Sequence, residues 1–359
     1  MPALGADMEA GTLVEWLKKP GDVVKRGDII AVVDTDKGAI EIEAFNAGLF
    51  DHTVVEPGQK VPVGTVLAIL REEGETAAPA APTVPPPRVA VSPAARTAAD
   101  TLHVDLRSVD GRGPGGAITV ADVQRAASRR RIAPTAADRS VAMRTAIGAA
   151  MSRAKREIPH LYLSTTIDLA SSMKWLTAEN QRRAVAERLL PAVLFLKAVG
   201  RACAEVPALN GYWKDHAFVG GPGIHVGCAI ALRGGGLVAP AIHDVGTKTV
   251  SAIAAELSDL VQRARTGGLR SSELSDATIT VTNLGDLGVE SGYAVIYPPQ
   301  VAILAFGRVV ERPWIIDGQV VPRTVVSASL SADHRATDGR EAGRFLAAID
   351  QALQSPEAL

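Results

Sequence analysis

Cysteine is nearly absent from this sequence of 359 residues. Cys203 and Cys228 stand 25 positions apart and neither has a C-x-x-C partner, so both read as small buried side chains rather than a disulfide or a thiolate metal site. No uninterrupted apolar run reaches the roughly 18 residues that a membrane span needs. The opening MPALGADMEA lacks the basic and apolar regions of a secretory signal. No membrane association is expected, and the composition fits a reducing cytoplasm. A net charge of −1 argues against a general nucleic-acid binder. His52, His103, His160, His216, His225 and His243 show no metal-ligand spacing, so no metal is expected.

The small net charge conceals an asymmetry. Residues 1–75 hold 14 Asp and Glu against 7 Lys and Arg, whereas residues 90–139 hold 8 Arg against 5 Asp. An acidic body is followed by a small basic module, a pattern that suits charge-steered contact with an acidic partner. Between them, residues 73–89 (EGETAAPAAPTVPPPRV) carry five prolines among alanines and no aromatic residue. Such a stretch cannot bury a core and is expected to act as an extended, semi-rigid tether.

Residues 1–72 contain an internal repeat. PGDVVKRGDIIAVV (20–33) matches PGQKVPVGTVLAIL (57–70), with Pro20, Gly21, Val24 and Gly27 recurring as Pro57, Gly58, Val61 and Gly64. Each half is a Pro-Gly turn, a short strand, a Gly turn and another strand, so two packed sheets with approximate two-fold symmetry are expected. Between the halves, Ile29–Val33 reads as a buried strand. Ile40, Ile42 and Ala44 alternate with Glu41 and Glu43 as in a half-buried one. Asp34-Thr35-Asp36-Lys37-Gly38 joins the two strands, which puts Lys37 at or beside a hairpin tip.

Residues 90–127 read as two short helices around the glycine-rich GRGPGGAIT. Ser92 and Pro93 form an N-cap and first-turn pair, and Thr119 caps the second helix. Residues 128–139 form a second connection. Residues 140–359 mix helices (MRTAIGAAMSRAKRE, RLLPAVLFLKAVGRACAEV) with strands (LYLSTTIDL, ATITVTNL, VAILAFGRV, TVVSASLSA), an α/β domain with a mixed sheet. Gly234-Gly235-Gly236 lacks the lysine and helix of a phosphate loop and reads as a hairpin turn.

Three motifs carry chemistry. Lys37 in DTDKG, backed by the repeat and the tether, describes a swinging carrier; residues 1–70 resemble the lipoyl domain family, whose modified lysine sits in a TDK context. That family usually has several strand residues before the MPALG segment, so an outer strand is expected to be shortened here. SPAARTAADTLHVDL followed by GRGPGGAITVADV resembles the peripheral-subunit-binding domain. Near the C-terminus, SADHRATDGREAGRFL holds His334, Asp338 and Gly339 in an H-x-x-x-D-G motif. With TVTNLGDLGVES and YPPQVAILAFG before it, the order resembles the catalytic domain of dihydrolipoamide acyltransferases, which are similar to chloramphenicol acetyltransferases. The whole chain is thus identified as a member of the dihydrolipoamide acyltransferases of 2-oxo acid dehydrogenase complexes.

The resemblance implies three domains in the order carrier, binder, catalyst: an all-β lipoyl domain, a small α-helical binding domain and an α/β catalytic domain. It implies lipoate on Lys37, coenzyme A as acyl acceptor, His334 as general base, Thr282 as the hydroxyl that stabilises the oxyanion and Asp338 as the residue that fixes the loop and the imidazole. A base near pH 7 and a donor aimed at the developing charge are what thiol-to-thiol acyl transfer needs. It also implies a trimer in which Thr282 and His334 come from different chains, and partners that include the decarboxylating dehydrogenase component and dihydrolipoamide dehydrogenase. Arg96 matches a position that grips those components, while Ala117 stands where the family often has a second arginine. His160 matches a position near the substrate channel. Acetyl transfer in a pyruvate or acetoin complex is the leading expectation; a branched-chain acyltransferase and a non-catalytic scaffold are the alternatives.

Overall fold

The computed structural model describes residues 1, 10–35, 38–71, 91–102, 104, 106, 109, 111–131, 136–232, 236–266 and 268–359. Residues 1–72 and 142–359 form one compact unit and residues 73–141 a second. Among the described residues, no helix is long and apolar enough to cross a membrane.

The N-terminal part of the first unit is all β. Strands β1 (Ala10–Trp16), β3 (Ile29–Thr35), β4 (Gly38–Glu43) and β6 (Lys60–Pro62) form one sheet, and β2 (Val23–Val24), β5 (Gly48–Thr53) and β7 (Ala68–Arg71) form another. The sequence repeat is visible in the backbone. Gly21 and Gly58 hold φ of 96° and 89°, and Gly27 and Gly64 hold 88° and 90°, so the same left-handed turn recurs in both halves. Inward-facing Leu13, Ala31, Val33, Ile40 and Ile42 make one core. Trp16 lies edge-on to the buried Phe50 at 5.4 Å, and its indole NH donates to the Val55 carbonyl.

The second unit contains α1 (Pro93–Leu102) and α2 (Val120–Arg131). Ser92 Oγ accepts from the Ala95 amide, as the Ser-Pro signal predicts. Asp122 ties the glycine-rich loop to α2: its carboxylate accepts from the Thr119 hydroxyl and amide and from the Arg112 amide. Those bonds, the Thr119 hydroxyl first, hold its pKa well below the usual carboxylate range. The core is small, with Ala95, Ala99, Ile118 and Val123 at its centre.

α3 (Ala136–Glu157) crosses the division between the units, and the rest of the first unit continues with β8 (His160–Asp168), α4 (Ala170–Gln181), α5 (Pro191–Glu205) and the hairpin β9 (Gly211–Lys214) and β10 (Ala217–Gly220). It continues through β11 (Val226–Cys228), β12 (Ile230–Ala231), β13 (Leu237–Val238), β14 (Ala241–Ile242), α6 (Val250–Thr266), β15 (Leu269–Arg270) and α7 (Ser271–Ser275). It closes with β16 (Ile279–Asn283), β17 (Ala302–Phe306), β18 (Val310–Ile316), β19 (Gln319–Asp333) and α8 (Gly339–Gln354). The main sheet runs β14-β11-β16-β17-β19-β18, with β8 also on β19. Pairing is parallel from β11 to β17 and antiparallel elsewhere, the mixed sheet expected. The β12–β13 hairpin pairs Ile230 with Val238 and Ala231 with Leu237; most of its glycine turn lies outside the described residues.

The sheet has two unlike faces. Val281, Leu304, Leu330 and Leu163 form one cross-strand row and belong to the core against α5 and α8. From α8 come Phe345, Leu346, Ile349 and Leu353, all buried; each contributes about 1.5–3 kcal/mol by its removal from water. The next row, one residue along, is Thr282, Ala305, Ser329 and Ser164. A residue slip would exchange these faces, so the alternation in TITVTN and SASLSAD fixes the register.

Candidate active site

β19 delivers His334. Its last residue, Asp333, is fully buried and forms a two-pronged ion pair with Arg335, with Nη2 2.7 Å from Oδ2. The Arg335 guanidinium in turn lies 4.7 Å above the Trp213 ring. His334 is pinned between them: its amide donates to the Pro159 carbonyl at 2.9 Å, while its side chain is exposed. Four residues on, Asp338 caps α8, accepting from the amides of Arg340 and Glu341 at 2.9 and 3.0 Å. The Glu341 bond leads in holding its carboxyl below the ordinary range. Asp338 thus fixes the turn after His334 through backbone bonds.

Thr282 sits half-buried on β16. Among the described residues, neither its hydroxyl nor the His334 ring has a hydrogen-bond partner. The two do not meet within one chain. Thr282 is in register with Ala305, and Ala305 with Ser329, whereas His334 lies five residues further along the chain, one past the end of β19. At about 3.3 Å per residue and about 4.8 Å per strand, the two Cα atoms are roughly 19 Å apart.

His160 is held by the backbone through both ring nitrogens. Its Nε2 accepts from the Ile296 amide at 3.2 Å, so Nδ1 carries the proton given to the Ile158 carbonyl at 2.9 Å. Burial, the largest influence, lowers its pKa. Cys228 pairs with Val281, the residue before Thr282, and burial pushes its thiol up to about 12. Asp333 and Arg335 are the residues that sequence reasoning passed over; the signal available was their place on either side of His334. No group of three or more His, Cys, Asp or Glu residues is arranged for a metal among the described residues. Lys37 lies outside the described residues. The strands on either side of it pair up to Thr35 and Gly38. Arg96 is exposed on α1.

Residues 135–359 match the family described as 2-oxoacid dehydrogenases acyltransferase (catalytic domain). The chain belongs to that family. Residues 1–70 match the Biotin-requiring enzyme family and residues 89–124 the e3 binding domain. The dihydrolipoyllysine-residue acetyltransferase component of the pyruvate dehydrogenase complex of Zymomonas mobilis is 29% identical over 99% of this chain and 97% of its own. Two Bacillus subtilis relatives are each 30% identical: the acetyltransferase of the acetoin cleaving system, over 100% of this chain and 98% of its own, and the lipoamide acyltransferase of the branched-chain alpha-keto acid dehydrogenase complex, over 99% and 96%. The crystal structure of dihydrolipoamide acetyltransferase from Azotobacter vinelandii is 26% identical, covers 60% of this chain and 90% of its own, and superposes with a TM-score of 0.56. This acyltransferase therefore joins a carrier, a binding module and a catalytic domain in one chain.

Proposed function

We propose that the chain moves an acetyl group from a dihydrolipoyl group on Lys37 to coenzyme A within a cytoplasmic 2-oxo acid dehydrogenase complex of pyruvate or acetoin type. The functional divisions would be residues 1–72 for the carrier, 90–127 for the binder and 140–359 for the catalyst, with connections at 73–89 and 128–139. The observation that carries the reading is the site. In the Azotobacter enzyme, a serine, a histidine and an asparagine were studied for their catalytic roles; the serine precedes the histidine by 52 residues and the asparagine follows it by 4. Thr282, His334 and Asp338 keep both intervals, and each change, threonine for serine and aspartate for asparagine, preserves the hydrogen-bonding atom the role requires.

When attached, the lipoyl group supplies the thioester to be attacked. His334 takes the proton from the coenzyme A thiol, and the sulfur adds to the thioester carbonyl. The Thr282 hydroxyl donates to the carbonyl oxygen as negative charge develops there. The imidazolium of His334 would then give the proton to the sulfur that the acyl group leaves, which would regenerate the base without any enzyme thiol. The separation within one chain and the free His334 ring support a site shared by two copies, as in a trimer, with Asp338 acting through the α8 cap. Arg96 would contact the dehydrogenase components through the basic module. The branched-chain relative favours a second reading in which the acyl group is larger. Coenzyme A acylation assayed with acetyl-, isobutyryl- and succinyl-dihydrolipoamide decides among them: fastest transfer of acetyl is expected, and preference for isobutyryl would establish the branched-chain reading.

A further inference from the structure

The carrier does not stop at its own strands. β15 of the catalytic domain adds to the edge of β4 in parallel, Leu269 opposite Ile40 and Arg270 opposite Glu41, so that the carrier sheet runs β15-β4-β3-β1-β6. At the end of this pairing the Glu43 carboxylate accepts from both the amide and the hydroxyl of Ser272, and the Glu43 amide donates to Ser271 Oγ at 3.3 Å. Leu274, on the same short helix, packs against the carrier core and the catalytic core together. We propose that β15 and α7 form a dock on the catalytic domain that captures the chain's own carrier by strand addition, with Glu43 as the selective contact.

Three features fit a dock better than a fixed interface. First, the receiving edge is braced independently of the carrier. Arg263 of α6 makes a two-pronged ion pair with Glu273, at 2.6 and 2.7 Å, and also donates to the Gly268 carbonyl. Glu273 accepts from the Arg270 amide as well. The β15–α7 turn is thereby held open for a strand, with little ordering left to the moment of contact. Second, the contact is small. Among the described residues it comprises a two-residue ladder, the Glu43 bonds and Leu274, and beside it remains a cavity lined by Ala39, Ile40, Leu232, Val238, Leu269 and Leu274. Third, carrier and dock belong to one chain. A tether supplies an effective concentration on the order of millimolar, so a contact too weak to hold two separate proteins still keeps the carrier at the dock for much of the time and releases it readily.

The place on the carrier matters. β4 begins immediately after Lys37 in the sequence, and its Ala39 and Ile40 line a cavity together with Leu232, which follows β12, and Val238 of β13. β12 continues from β11, which pairs with the strand carrying Thr282. Capture therefore holds the lysine-bearing hairpin of the carrier at the catalytic domain, and while β4 is paired its edge is closed to any other protein.

The experiment uses the full-length chain labelled with ¹⁵N. A carrier that tumbles freely gives sharp amide signals, and one held on the catalytic core gives attenuated ones. Wild type is expected to show attenuated carrier signals, with Glu43→Ala raising them at least about twofold. Ser272→Ala, which leaves the carrier sequence untouched, must do the same; this separates loss of docking from damage to the carrier fold. Glu41→Cys with Arg270→Cys places two thiols at paired positions and is expected to cross-link under mild oxidation, since both native cysteines are buried. Equal carrier intensities in wild type and in both alanine variants would overturn the proposal, as would failure of the cysteine pair to cross-link. The dock rests on the chain's being its own carrier but not on the proposed active site: transfer from free acetyl-dihydrolipoamide is expected to be unchanged in Ser272→Ala, and inactivity of the wild type in that assay would count against the active site alone.

Discussion

The distance between Thr282 and His334 permits a test in which two dead enzymes make a live one. His334→Ala removes the proposed general base, with an expected loss of about 10²–10⁴-fold. Thr282→Ala removes the proposed oxyanion donor, with an expected loss of about 10²–10³-fold. Roughly 19 Å, from five residues of strand rise and two strand spacings, separates the two positions in one chain, so one chain cannot complete its own site. In a closed head-to-tail ring each site takes Thr282 from one copy and His334 from the next. When the two variants are co-assembled in equal amounts, a site is whole only if a His334→Ala chain gives the threonine and a Thr282→Ala chain gives the histidine. Random assembly makes that true for about one site in four. The measurement is acetyl transfer to coenzyme A by each variant alone, by the two mixed after assembly, and by the co-assembled protein. Co-assembly is expected to recover about a quarter of wild-type turnover, and late mixing almost none. Co-assembled protein no more active than the mean of its parents would refute the shared site, because it would mean that groups from different copies never serve the same substrate.

Other outcomes follow from the same geometry. Asp338→Asn keeps an oxygen for the Arg340 and Glu341 amides and is expected to retain most of the activity, whereas Asp338→Ala loses the α8 cap and lowers Tm. Lys37→Arg is expected to abolish the gain of one lipoyl mass on co-expression with a lipoate ligase, as read by intact-mass spectrometry; modification found at Lys18, Lys19 or Lys60 would move the carrier site. Binding of a dehydrogenase component, followed by calorimetry, is expected to weaken with salt and with Arg96→Ala and to tighten with Ala117→Arg. His243 is hydrogen-bonded to Asp276 at 3.1 Å, which raises its pKa above the usual 6.5. Its contribution to stability is therefore fully present below pH ~6.5 and lost as pH rises through the raised value. Comparing Tm against pH for wild type and His243→Gln is expected to show the difference shrinking across that window.

Much of this was legible because it is local. The repeat put glycines at turns that take a positive φ, and Ser92-Pro93 and Thr119 marked both helix starts of the small module. His334 and Asp338 could be found because their spacing is contained in one turn. What escaped was long-range. The Asp333–Arg335–Trp213 stack needs residues more than 100 positions apart, and nothing in LRSSEL announces that it pairs with β4. His160, suggestive from its neighbours IPH, turned out to spend both ring nitrogens on backbone groups, which only the fold could reveal.

The burial of Cys228 bears on selectivity among sulfurs. An enzyme that passes acyl groups from one thiol to another is exposed to theft by its own thiols, and Cys228 stands one strand away from Thr282. Burial pushes its thiol up to about 12, which disfavours the nucleophilic thiolate at neutral pH. Cys203, on α5, is likewise raised by burial. The two cysteine thiols of the chain are thus buried and kept protonated, which protects them from competing with an incoming thiol for an acyl group.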